Sequence, residues 1–213
     1  MKSVIFDLDG TVILTESLHR RSFNKVLKEL GVNLSQEKWD SFKGKGTIKI
    51  FKTIINENNL DVDLNEIVSA RDKCFDELIN LEGIPLVNGF RKFYSLLIEK
   101  GVKVIIGTCG RNINVEKELS IDRLKIPFVS ADDVDKTKPS PDIFLLAAKK
   151  LGVEPSNCVV FEDAKSGIIA GHRAGMKVIG VCQSSSLDEL SDADFIIEDY
   201  SELDWEQISK ILS

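Results

Sequence analysis

Short apolar runs alternate along this chain with stretches whose apolar residues recur every three or four positions. Val4-Ile5-Phe6, Val102 to Ile106, Cys158-Val159-Val160-Phe161 and Val178-Ile179-Gly180-Val181 are too short for helices and too uniformly apolar for half-exposed strands. They predict strands buried on both faces. Phe195-Ile196-Ile197 is a shorter fifth candidate. Amphipathic helical patterns fill most of the intervals, and such alternation predicts an α/β fold with a doubly wound parallel sheet between layers of helices.

One stretch breaks the rule. From Thr15 to Leu81 only helical periodicity is present, punctuated by Gly31 as a helix stop and by Gly44 and Gly46 after Trp39-Asp40-Ser41-Phe42. An all-helical block placed after the first strand reads as a small second domain. The expected division is a core of residues 1–14 and 85–213 and a helical domain of residues 15–84, with hinges near 12–16 and 82–88.

Composition narrows the function classes. The 213 residues suffice for one sizeable core, and the formal net charge of −6 comes with no basic stripe, which argues against a nucleic-acid partner. Cys74, Cys109, Cys158 and Cys182 form no C-x-x-C pair, so the plain reading is reduced thiols in a cytoplasmic protein. No apolar run approaches a membrane span, and a soluble monomer is expected.

Ligands of open parallel sheets bind beyond the carboxyl ends of the strands, so the residues following each strand carry the chemical argument. After the first comes Asp7-Leu8-Asp9-Gly10-Thr11. Residues two apart in extended chain point to the same side, so Asp7 and Asp9 can face one site, and two carboxylates there call for a cation. After the second comes Gly107-Thr108-Cys109-Gly110-Arg111, a turn able to offer a hydroxyl and main-chain N–H groups to an anion. Thr108 as a simple helix cap is the competing reading. In Lys138-Pro139-Ser140-Pro141-Asp142, a helix start accounts for Ser140 as cap and Pro141 as first helical residue, and leaves Lys138 unexplained. After Phe161 stands a second acidic pair, Glu162-Asp163, which the following helix dipole would also favour.

The ordered set Asp7-x-Asp9-Gly10-Thr11, Thr108, Lys138 and Glu162-Asp163 resembles the haloacid dehalogenase-like superfamily, and the strings around Lys138 and Phe161 resemble its β-phosphoglucomutase-like branch. The resemblance implies a Rossmann-like core with a helical cap inserted where the helical block lies. It implies that Asp7 attacks phosphorus to form an aspartyl-phosphate, that Asp9 serves as acid and then base, and that Lys138 neutralises charge on Asp7 and the phosphoryl group. Thr108, with the segment Cys109, Gly110 and Arg111 and its main-chain N–H groups, would hold phosphoryl oxygens. Mg²⁺ would take Asp7, the Asp9 carbonyl, Asp163 and Glu162, the last directly or through water; such oxygen donors with a phosphate suit this ion.

The same resemblance makes Thr15 to His19 a cap-entry segment, with His19 near the substrate, although Leu14 stands where many relatives carry Asp. Lys43, Lys45 and Thr47 fall where the cap's specificity loop is expected, and Thr47 occupies the position of the Arg that grips a distal phosphate in the mutases. Cys109 replaces a small residue and reads as a space-filling thiol. The expected activity is therefore Mg²⁺-dependent hydrolysis of a small phosphomonoester such as a sugar phosphate, with a β-phosphoglucomutase-like mutase as the alternative.

Overall fold

The strands are β1 (Ser3–Phe6), β2 (Lys103–Gly107), β3 (Phe128–Val129), β4 (Cys158–Glu162), β5 (Lys177–Val181) and β6 (Phe195–Ile197). In the computed structural model, which describes residues 2–42, 46–110, 115, 125–183 and 185–212, they form one parallel sheet in the order β3-β2-β1-β4-β5-β6. The β1 register aligns Ile5 with Ile105 on one side and Val160 on the other, and Phe6 with Ile106 and Phe161. Because side chains alternate along a strand, these rows face opposite sides of the sheet.

The two faces are packed differently. Ile5, Ile105 and Val160 join Ile143, Phe144 and Ala147 of helix Asp142–Leu151 and Ile168 of helix Lys165–Arg173 in one aliphatic cluster. On the other face Phe6 and Phe161 meet Phe90 and Phe93 of helix Phe90–Glu99 and Tyr200 in an aromatic cluster with ring centroids 5.0–6.2 Å apart. Burial on both faces is what the unbroken apolar runs require.

Strand β3 escapes sequence reading because it is two residues long and directly follows Pro127, which has no N–H to give a ladder. The start of helix Asp142–Leu151 also differs from expectation. Pro141 has helical backbone angles (φ −75°, ψ −5°) and its carbonyl accepts from Leu145 N–H at 2.9 Å. The Ser140 hydroxyl, instead of capping a main-chain N–H, donates to Asp142 Oδ1 at 2.8 Å, a carboxylate being the stronger acceptor.

The chain divides into two compact units, one of Met1–Thr15 and Ile84–Ser213 and one of Glu16–Gly83. The second unit consists of helices Glu16–Glu29, Gln36–Asp40, Thr47–Asn58 and Leu64–Glu82. Its own core gathers Phe23, Leu27, Phe51, Ile54 and Ile67. Ser35 and Asp63 cap two of its helices through main-chain N–H groups, as their position ahead of apolar periodicity dictates. No helix among the described residues is long and apolar enough to cross a membrane.

Gly89 begins helix Phe90–Glu99 with φ +75°, and a Cβ there would stand 2.5 Å from Ser201 N and 2.8 Å from Tyr200 C. Both neighbours are main chain and cannot swing aside. Gly89→Ala is expected to destabilise the core unit by about 3 kcal/mol in urea unfolding, combining positive-φ strain with steric overlap.

Candidate active site

Strand order reverses direction at β1, between β2 and β4, which opens a crevice at the carboxyl ends of those strands. Asp7 is the first residue beyond β1. Its N–H donates to Phe161 O at 2.9 Å, so its backbone is still held by the sheet. The chain then folds into a tight turn: the N–H groups of Thr11, Val12 and Ile13 all point at Leu8 O, at 3.3, 2.8 and 3.0 Å. Gly10, at φ +76°, supplies the left-handed step this requires and donates to Ile13 O at 2.7 Å. The turn leaves Asp9 half-buried, its Oδ1 accepting from the Thr15 hydroxyl.

Lys138 reaches the same crevice from the loop before helix Asp142–Leu151. Its stem is buried, its ammonium lies 4.7 Å from the Phe144 ring centroid, and Arg173 Nη1 holds the neighbouring Pro139 carbonyl at 2.9 Å. The ammonium donates to Asp7 Oδ1 and to Glu162 Oε1, the latter at 2.9 Å. Glu162 Oε2 accepts the N–H groups of Asp163 (2.6 Å) and Ala164 (3.0 Å), so the acidic pair also anchors the start of the following helix. Gly167 makes room for this arrangement, since a Cβ there would lie 1.6 Å from Glu162 Oε1.

The electrostatics follow from crowding. Burial pushes the Asp7 carboxyl well above its ordinary value; Lys138 opposes the shift, and Glu162 and Asp163 add to it. Burial likewise raises Asp9, against the Thr15 hydrogen bond and the Lys138 charge. Burial alone would lower Lys138, but Asp7 and Glu162 overcome it and hold the ammonium charged. Oxygens of Asp7, Glu162 and Asp163 lie within 4.8 Å of one another. This all-carboxylate set fits one small hard cation. Glu162 also binds Lys138 and two main-chain N–H groups, and Asp7 also binds Lys138.

Thr108 follows β2 and is buried. Its N–H donates to Val129 O at 2.9 Å and its Oγ1 accepts from Gly110 N–H at 3.0 Å. The hydroxyl thus closes its own turn and keeps its proton to donate; the residues a helix cap would serve lie outside the described ones. Cys109 is exposed beside it. Lys43, Lys45 and Arg111 lie outside the described residues.

His19 and Thr47 belong to the helical unit. Thr47 opens helix Thr47–Asn58, with no side-chain cap at the preceding Gly46. The His19 ring stacks on Phe75 with centroids 4.3 Å apart, and its Nδ1 meets the Arg71 guanidinium. Burial first, and the Arg71 charge second, push His19 down to about 3, so the imidazole is neutral at physiological pH. Two partners of the predicted residues, Thr15 of Asp9 in the core unit and Arg71 of His19 in the helical unit, were missed from sequence. Thr15 is revealed only once the Asp9–Ile13 bridge folds the chain back, and Arg71 only once two helices pack.

A family model described as haloacid dehalogenase-like hydrolase matches residues 4–181. A fructose-1-phosphate phosphatase of Escherichia coli (strain K12) is 33% identical over 183 residues, 84% of this chain and 95% of the relative. A beta-phosphoglucomutase of Bacillus subtilis (strain 168) is 27% identical over 221 residues, covering 97% of this chain and 96% of the relative. Among solved structures, a family IA hydrolase of this type from Entamoeba histolytica superposes with a TM-score of 0.84 at 27% identity, covering 100% of this chain and 99% of that one.

Removing the cation between Asp7 and Glu162 leaves buried carboxylates without a counter-charge. Lys138→Met is expected to lower stability by roughly 3 kcal/mol at pH 8. An acid whose folded pKa lies above its unfolded value binds more protons when folded, so its balance favours the native state as pH falls. Lys138 opposes the upward shift of Asp7, so its removal raises that carboxyl further, and the deficit of Lys138→Met should narrow as pH drops from 8 towards 5. Urea unfolding of both proteins at the two pH values checks this.

Proposed function

The chain belongs to the haloacid dehalogenase-like hydrolase family, and on that premise we propose that it is a Mg²⁺-dependent phosphatase of a small phosphorylated metabolite, a sugar phosphate or similar organic phosphate. The observation that carries the reading is the pairing of two unlike carboxylates at the β1 end. Asp7 is fixed by the sheet and by Lys138, while Asp9 sits on the turn with its carboxyl raised by burial above its ordinary value. A phosphatase needs this division, one group to bond phosphorus and one to move protons.

In the first step an Asp7 oxygen attacks phosphorus as the ester oxygen leaves, and the Asp9 carboxyl gives its proton to that oxygen. In the second, Asp9 takes a proton from water as the water oxygen attacks phosphorus, freeing inorganic phosphate and the Asp7 carboxylate. Lys138 opposes the upward shift that burial imposes on Asp7, and offsets charge as the dianion approaches. Two like unit charges 4 Å apart repel by about 4 kcal/mol at an effective dielectric near 20, so one lysine does not balance this set. Bound Mg²⁺, held by Asp7 and Asp163 with Glu162 behind them, would supply the remaining positive charge. Thr108 and its turn are suited to binding phosphoryl oxygens.

The B. subtilis mutase relative supports a second reading in which a sugar hydroxyl, not water, takes the phosphoryl group from Asp7. Thr47, standing where the mutase Arg is expected, weighs towards hydrolysis.

Inorganic phosphate release from a panel of phosphorylated metabolites is expected with Mg²⁺ and is expected to vanish in excess chelator. Full activity in chelator would refute the metal assignment, and hexose 1- to 6-phosphate interconversion without release would favour the mutase. Asp7→Asn is expected to lose at least about a thousandfold in turnover, and wild-type turnover in that variant would remove Asp7 from the mechanism.

A further inference from the structure

We propose that Tyr200 is a positioning residue for the reaction, fixing the Asp9 turn through the Thr11 carbonyl; this rests on the catalytic reading of Asp7 and Asp9 above. Tyr200 lies beyond residue 181, where the family match ends, on a 3₁₀ turn of Tyr200–Glu202 that follows β6. Its hydroxyl donates to Thr11 O at 3.0 Å. Tyr200 is 2% exposed and Thr11 is fully buried, so no water replaces that bond.

The segment after the Asp9 turn is tied at Val12, Ile13 and Leu14 to residues 85–87, with Leu14 N–H donating to Pro85 O at 2.7 Å, whereas Thr11, nearer Asp9, is reached from outside by Tyr200. The N–H groups of the turn close on its own Leu8 and Ile13 carbonyls, and Val12 O accepts from Val87 N–H at 3.0 Å. The Thr11 hydroxyl is buried with no hydrogen-bond partner. The Thr11 carbonyl, two residues after Asp9, accepts its side-chain hydrogen bond among the described residues from the Tyr200 phenol. The phenol is itself rigid. Its ring stacks on Phe93 at 5.3 Å and meets Phe6, Phe90 and Phe161 edge-on or tilted. Tyr200 N–H donates to Asn88 O at 3.1 Å, and Asn88 Nδ2 donates to Asp199 Oδ2 at 2.9 Å. Burial holds the phenol protonated, so it is a permanent donor.

Tyr200→Phe deletes one oxygen from this arrangement and leaves the Thr11 carbonyl buried and unpaired. The turn must shift to satisfy it, and Asp9 shifts with the turn. The consequence is specific to proton transfer. An alkyl ester needs the Asp9 proton on its leaving oxygen, whereas p-nitrophenyl phosphate leaves readily without it, and kcat/KM reports the chemistry only up to transfer onto Asp7.

The experiment compares Tyr200→Phe with wild type on p-nitrophenyl phosphate and on the sugar phosphate that releases phosphate fastest in the panel. Leu97→Ala, a core deletion in helix Phe90–Glu99 outside the site, serves as the stability control. The expected result is a loss of about tenfold in kcat/KM on the sugar phosphate and under about threefold on p-nitrophenyl phosphate, while Leu97→Ala keeps the wild-type ratio at a similar fall in Tm. Equal losses on both esters, or wild-type values on both, overturn the inference. If Asp7→Asn is inactive in the same assays, that failure belongs to Tyr200 alone; if Asp7→Asn stays active, the catalytic reading falls and the inference with it.

Discussion

The Lys138 ammonium, shared between Asp7 and Glu162, is the interaction on which this architecture turns. The three side chains are 3%, 10% and 2% exposed, so all are withdrawn from water at the end of the sheet. Acidic residues at the ends of β1 and β4 can converge there only because one cation bridges them. Buried ion pairs seldom add net stability over an apolar packing of the same volume. The retention of charge at this buried position at the end of the sheet is therefore consistent with a role beyond packing. Glu162 shows the economy of the arrangement: one oxygen takes Lys138, the other takes two N–H groups, and Gly167 yields the space both need.

The sheet supplies the rest of the geometry. The strand order is the one also used to bind dinucleotides, yet the turn after β1 is Asp7-Leu8-Asp9-Gly10-Thr11 and not a glycine-rich cradle. Function follows from that turn and not from the topology. Asp7 is continuous with the hydrogen-bond ladder through Phe161 O and inherits the rigidity of the sheet. Asp9, two residues later, depends on local support from Thr15 and from the turn itself. Two identical carboxyl groups thereby acquire different freedom and different environments, as the division of roles proposed for them requires.

Much of this was legible in the sequence, for definite reasons. The buried strands announce themselves because both faces are covered, leaving no polar alternation to blur them. Asp7, Asp9, Lys138, Glu162 and Asp163 stand out because carboxylates and a lysine beside such strands need a reason to be there. What could not be read has a common cause. Strand β3 is too short for any periodicity, and the hydroxyls of Thr15 and Tyr200 matter only through residues distant along the chain or brought back by a turn. The bonds of Thr108 and Glu162 are of the same kind: Thr108 closes its own turn through Gly110 N–H, and Glu162 gives one oxygen to Lys138 and the other to main-chain N–H groups.

The bond between Tyr200 and Thr11 spans 189 residues, and that between Lys138 and Asp7 spans 131. Strand β1 leads the chain but sits in the middle of the sheet, so neither of its flanking strands exists when it is made. Its apolar residues must wait, unpaired, for partners separated by some of the largest loops the chain can close, and such closures slow folding more than they weaken the final state. During synthesis the helical unit, local in sequence and complete by residue 83, can form its core well before β1 has a neighbour. Asp7 can meet Glu162 and Asp163 only after the chain has passed β4, so the acidic cluster is assembled after the helical unit has its full sequence.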